Sequence, residues 1–230
     1  MSDARLRELE RLVAQADPGA RAALLRERAR MGLLDVERLE FAAYCSSVDA
    51  MDALGGPSHG AAWRTAGMAT WMEGLGRWLA TPYFAPLRAA VAIQRMAVHA
   101  WQPPRLPGGQ IVGLQDAADR HARLPAIEAV ECVAEWLAET DAGDSTRAAR
   151  LLRRAQSMHD GPLPWSALPY WVRHLLSVVH RIQPGYVGGP VSGEGLMGEV
   201  MHALERPVAL LGVGRARGLA QAALIDWALA

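Results

Sequence analysis

Asp17-Pro18-Gly19-Ala20-Arg21-Ala22-Ala23-Leu24-Leu25-Arg26-Glu27-Arg28 is the stretch that decides the fold. Proline and glycine interrupt a preceding helix, and proline suits the first turn of a following one. The Arg-Ala-Ala…Leu-Leu-Arg run after them is built from strong helix formers. The stretch reads as the corner and second arm of a helical hairpin. A looser copy stands at Asp141-Ala142-Gly143-Asp144-Ser145-Thr146-Arg147-Ala148-Ala149-Arg150-Leu151-Leu152-Arg153. Both corners should be tight and should join antiparallel helices, since helix–helix links in compact domains are commonly short. A true repeat would carry a fixed period, and nothing between the two copies recurs at one.

Working outward, helical spacing is the rule. Leu6, Leu9, Leu12 and Val13 form a stripe on the helix before the first corner. Gly32 closes the second helix and Asp35 caps a third that carries Val36, Leu39, Phe41, Ala43 and Tyr44. Trp63, Trp71 and Trp78, spaced by eight and seven, predict one apolar helix face ending before Pro82, and a stripe of this kind belongs in a core more often than at an interface. Pro125 reads as the opening of a helix with Ile127, Val130, Val133, Trp136 and Leu137. Trp165 to Ile182 is another helix, and two more lie around Leu196–Leu204 and Leu219–Leu229. No period-two alternation predicts a strand. The expected architecture is all-α: stacked helical hairpins or an irregular bundle of about 9–11 helices. The Pro- and Gly-rich segment near Gln102–Gly113 divides it into an N-terminal lobe over 1–101, a loop over 102–115 and a C-terminal lobe over 116–230, which could equally be one continuous domain.

The run Leu25-Arg26-Glu27-Arg28-Ala29-Arg30-Met31-Gly32-Leu33-Leu34-Asp35-Val36-Glu37-Arg38-Leu39-Glu40-Phe41-Ala42-Ala43-Tyr44-Cys45 resembles a helical module that recurs in uncharacterised proteins of high-GC bacteria. The resemblance covers the first fifty or so residues. It implies an all-helical fold and supplies no catalytic residues.

Composition excludes more than it includes. Twenty-four basic residues balance 24 acidic ones, so there is no general attraction to nucleic acid or to an anionic membrane. Every basic residue is Arg. Without lysine there is no Schiff-base chemistry and no Walker-type phosphate lysine. Cys45 and Cys132 are too few for a disulfide framework, the charged N-terminus does not read as a signal peptide, and no apolar run is long enough to span a membrane. The expectation is a cytoplasmic protein with reduced thiols.

Catalytic motifs fail one after another. Gly193-Glu194-Gly195-Leu196-Met197-Gly198 matches the dinucleotide glycine pattern, but Gly188-Gly189-Pro190-Val191-Ser192 before it cannot be a central strand, so it reads as a glycine-rich helix start. Gly212-Val213-Gly214 reads as small residues that let helices approach closely. Cys45-Ser46-Ser47 and Ser192 offer nucleophiles with no partner that position alone can assign. Glu199 and His202 have the Glu-x-x-His spacing of carboxylate metal bundles, and Glu128, Glu131 and Glu135 could add oxygens. A single such motif is short of a site, and His174 and His180, six apart, do not share a face.

Three functions remain open. The leading expectation is a non-enzymatic module that binds another protein, as an adaptor, scaffold or neutralising partner, with no cofactor. Its contact residues would be Trp101, Arg105, Arg64 and Arg77, from the Met51–Leu114 window where five Arg face only Asp52 and Glu73. The alternatives are a bundle that binds a small molecule or metal through Glu199 and His202, and a hydrolase with an unrecognised Ser, Cys or His site.

Overall fold

The computed structural model describes residues 2–56, 66–78, 84–101, 112–161, 168–182 and 193–230. Helices hold 83% of them, with no strand among the described residues. Among the described residues eleven α-helices follow in order: α1 Ser2–Ala14, α2 Ala20–Arg30, α3 Val36–Tyr44, α4 Val48–Ala53, α5 Met68–Gly74, α6 Ala85–Ala100, α7 Val112–Asp141, α8 Ser145–Asp160, α9 Tyr170–Arg181, α10 Gly193–Leu211 and α11 Val213–Leu229. A 3₁₀ turn, Leu75–Trp78, continues α5. The chain forms two compact units, one of Met1–Gly67 with Gln221–Ala230 and one of Met68–Ala220. The boundary between these units lies at Gly67, and α6 and α7 pack on each other.

Both expected corners exist, and both end their first helix in the same way. At the first, α1 ends in a Schellman motif: Asp17 N–H donates to Leu12 O and Ala16 N–H to Val13 O, with Ala16 at φ 56°. Gly19, at φ 80°, then stands before α2. At the second, Gly143 holds the left-handed position (φ 75°) and Asp144 caps α8 by accepting from the Arg147 N–H at 2.9 Å. The second corner repeats the Schellman pair, Asp144 N–H to Glu139 O and Gly143 N–H to Thr140 O, so the corners differ in how the next helix starts: Gly19 offers α2 no side-chain cap, whereas Asp144 caps α8.

In the first unit, Asp35 caps α3 through the Glu37 N–H and Ser47 caps α4 through the Ala50 N–H. Leu24, Leu25, Leu39, Phe41 and Met51 are buried. Trp227 lies edge-on to Phe41, and the Arg38 guanidinium covers the Trp227 ring while donating to its carbonyl.

In the second unit, α6 is central and packs against α7, α9 and α10. Trp71 and Trp78 are buried, as expected of a core stripe, but on a short helix followed by a 3₁₀ turn and not on one continuous helix. Trp63 lies outside the described residues. Pro125 does not open a helix either: it sits inside the 30-residue α7. Pro207 sits inside α10 in the same way. A proline leaves the carbonyl four residues earlier without its helical donor. For Pro207 that carbonyl belongs to Ala203, and the fully buried Gln94 of α6 donates Nε2 to it at 2.8 Å. The same amide donates to Trp171 O of α9 at 3.1 Å. One side chain thus supplies the donor that a neighbouring helix lacks and ties three helices together.

At Gly212 the chain turns between α10 and α11 with φ 80°. A Cβ built on Gly212 or Gly214 would meet nothing within 4 Å, so backbone conformation and not close helix approach accounts for glycine at Gly212.

Both cysteines are buried. Burial raises the Cys45 thiol above its ordinary range and pushes Cys132 up to about 11. Cys132 also donates to Leu151 O at 3.4 Å. Thiolate is the reactive form, so neither thiol of the native protein should react with an aromatic disulfide reagent at about pH 8, and both should titrate on unfolding. Fast release of one equivalent from native protein would show that one of these sites opens.

Candidate functional site

Helix α9 divides into two faces. Trp171, Val172, Leu175, Leu176, Val178 and Val179 are buried. Tyr170, Arg173, His174 and Ser177, spaced i, i+3, i+4 and i+7, form a polar stripe that an apolar core cannot take. Together with His159 from the end of α8 and Glu199 from α10, this stripe lines a cleft of about 280 Å³.

Four of the chain's seven histidines gather here. His159 and His180 stack with ring centroids 5.4 Å apart and planes 6° from parallel. His174 and His202 lie 5.6 Å apart at 34°. Tyr170 stands edge-on to His174 at 6.1 Å. Carboxylates hold three of the rings: His174 Nδ1 donates to Glu199 Oε2 at 2.6 Å, His202 Nδ1 to Glu205 Oε1 at 2.9 Å, and His159 Nδ1 to Asp160 Oδ1 at 2.6 Å. The second oxygen of Glu199 meets Arg181 at 3.1 Å. The one carboxylate lining the cleft is therefore committed on both oxygens. What remains in the lining to donate is the Arg173 guanidinium and two hydroxyls.

The residues singled out from sequence are placed unevenly. Glu199 and His202 both belong to this cluster, but Glu199 holds His174, twenty-five residues away, and His202 is held by Glu205. His174 and His180 join different ring pairs, as their spacing implies. Two other acids of the metal reading are engaged elsewhere, Glu128 with Arg154 and Glu131 with Arg95. Among the described residues no three His, Cys, Asp or Glu side chains converge on one point. Gly193 to Gly198 opens α10, a helix start and not a nucleotide turn. Cys45 is buried, Ser46 accepts from Gln221, and Ser47 caps α4, so that run has structural roles throughout.

In the Arg-rich window, Arg88 makes a two-point bridge to Asp141 (2.6 and 2.9 Å) and Arg95 another to Glu131 (2.5 and 2.9 Å). Helix α7 thus supplies, from beyond the window, carboxylates that offset its positive excess. Arg77 covers the Trp78 ring at 4.9 Å. Trp101 is half-buried, edge-on to Trp171 at 6.3 Å. Arg64 and Arg105 lie outside the described residues, as does Ser192.

No single helix among the described residues is long and apolar enough to cross a membrane. Comparisons with protein-family models, with curated proteins and with solved structures find no match.

Proposed function

We propose that the Met68–Ala220 unit is a helical receptor for a small anionic molecule, one that presents phosphate or carboxylate oxygens to the cleft between α8, α9 and α10. The observation that carries this reading is the imbalance of the lining: donors from Arg173, Tyr170 and Ser177 face a space whose one carboxylate, Glu199, already serves His174 and Arg181. Arginine suits such a role because its planar fork matches two oxygens at once. The cleft is smaller than the roughly 300–1,000 Å³ typical of drug-sized ligands, which favours a compact metabolite.

Inorganic phosphate and citrate serve as probes. At matched ionic strength each should raise the thermal midpoint above that seen in chloride, through preferential binding to the folded state. Arg173→Gln should weaken phosphate binding about tenfold or more in a calorimetric titration while the midpoint without ligand stays put. Equal binding by Arg173→Gln and wild type would reject the reading.

Docking of a macromolecule through the Arg-rich window has less support. Its half-exposed anchor is Trp101, while Arg88 and Arg95 are engaged with carboxylates and Arg77 with an indole.

A further inference from the structure

The His174–His202 pair has a property that the anion reading does not use. A metal-bound histidine characteristically donates its second ring N–H to a carboxylate or carbonyl, which fixes the tautomer and raises the basicity of the coordinating nitrogen. Both rings carry that device. Glu199 accepts from His174 Nδ1 and Glu205 from His202 Nδ1, so Nε2 is the nitrogen available on each neutral ring. Neither Nε2 has a hydrogen-bond partner among the described residues.

Distance agrees. Two imidazoles that share one ion at about 2.0–2.1 Å place their ring centroids roughly 5–6 Å apart. The observed separation is 5.6 Å. Access agrees as well, since the His202 side chain is 59% exposed. Helical spacing explains why the arrangement persists: Glu205 follows His202 by one turn on α10, while the Glu199–His174 bond joins α10 to α9.

We propose that His174 and His202 bind a divalent transition-metal ion of the zinc, nickel or copper type through Nε2, with Glu199 and Glu205 as the carboxylates that orient the rings. Imidazole selects these ions over magnesium, calcium and manganese. With two protein ligands, the ion keeps positions for water or for an acceptor group of a ligand in the adjoining cleft. The inference does not rest on the anion reading, because His202 does not line the cleft and Arg173 is not one of the pair.

The test uses the full chain stripped with a chelator and titrated calorimetrically with Zn²⁺, Ni²⁺ and Mn²⁺. One zinc or nickel ion per chain should bind, with manganese far weaker, and affinity should fall as the pH is lowered because protons compete for the same nitrogens. His202→Ala and His174→Ala should each lower zinc affinity at least about tenfold, and Glu205→Gln about tenfold, the scale seen for such orienting carboxylates. In nitrogen-detected spectra zinc should move the Nε2 signals of His174 and His202, not their Nδ1 signals. The controls are His99→Ala, an exposed histidine on α6, and Arg173→Gln; both should bind zinc as wild type does. Zinc affinity unchanged in His202→Ala, or reduced as much by His99→Ala, overturns the proposal. Loss of phosphate but not zinc binding in Arg173→Gln, and the reverse in His202→Ala, separates this site from the anion reading.

Discussion

Replacing Gln94 with Leu should lower the unfolding free energy of the Met68–Ala220 unit by about 2 kcal/mol, and Gln94→Ala by about 3–4 kcal/mol, the second value including the cavity left in α6. Both follow from the position of the amide: it is fully buried and donates to Ala203 O and Trp171 O. Leucine keeps most of the volume and removes the donor. A buried carbonyl without a partner costs on the order of 1–3 kcal/mol. Part of that cost is offset, because Gln94 Oε1 is itself buried without a hydrogen bond and leaves with the substitution. Pro207 makes the argument specific. Its missing N–H is the reason Ala203 O needs an outside donor, so Pro207→Ala should restore a helical donor and reduce the Gln94→Leu penalty by roughly half. Urea unfolding of wild type, the two single variants and the double variant, followed by circular dichroism, gives the coupling directly. An equal Gln94→Leu penalty with and without the Pro207→Ala substitution would mean that Gln94 acts through packing alone.

Gln94 and Pro207 also mark where sequence legibility stops. Features set by neighbours in the chain are readable: the caps at Asp35 and Asp144, the stop at Gly143 and the amphipathic run of α9. Each depends on residues within about a turn of one another. Pro125 and Pro207 mislead for the opposite reason. A proline signals a helix boundary unless packing compensates, and the Gln94 that compensates at Pro207 lies 109 positions from Ala203. The packing of α6 on α7 is equally hidden, since it depends on apolar faces and not on neighbours in the chain.

The site follows the same logic. Glu199 and His202 are visible as a spaced pair on one helix, yet Glu199 takes its chemistry from His174 and Arg181 on α9, partners that spacing cannot reveal. The stacked His159–His180 pair joins the ends of two helices. One local signal does exist. Tyr170, Arg173, His174 and Ser177 make a continuous polar stripe on a helix whose other face is fully buried, and such a stripe with two aromatic rings and a guanidinium is richer than a solvated face requires.

Trp171 couples that stripe to the core, and Trp171→Ala is expected to cost about 3–5 kcal/mol. The indole is fully buried on the apolar face of α9, its carbonyl accepts from Gln94, and its ring meets Trp101 edge-on. Truncation therefore removes a large packed surface at the start of the helix that carries Tyr170, Arg173 and His174. Stability and phosphate binding should fall together in this variant, because α9 loses the seat that positions its donors. Arg173→Gln separates the two, losing binding without stability. Trp101→Ala should be milder, about 1–2 kcal/mol, since its indole is only half-buried. Thermal and urea unfolding of Trp171→Ala and Trp101→Ala, each paired with a phosphate titration, distinguishes these roles. If Trp101→Ala destabilises as much as Trp171→Ala, both indoles are core and Trp101 is no anchor for a partner. If Trp171→Ala unfolds at the wild-type midpoint, the buried face of α9 does not hold the cleft in place, and ligand binding is independent of the packing beneath it.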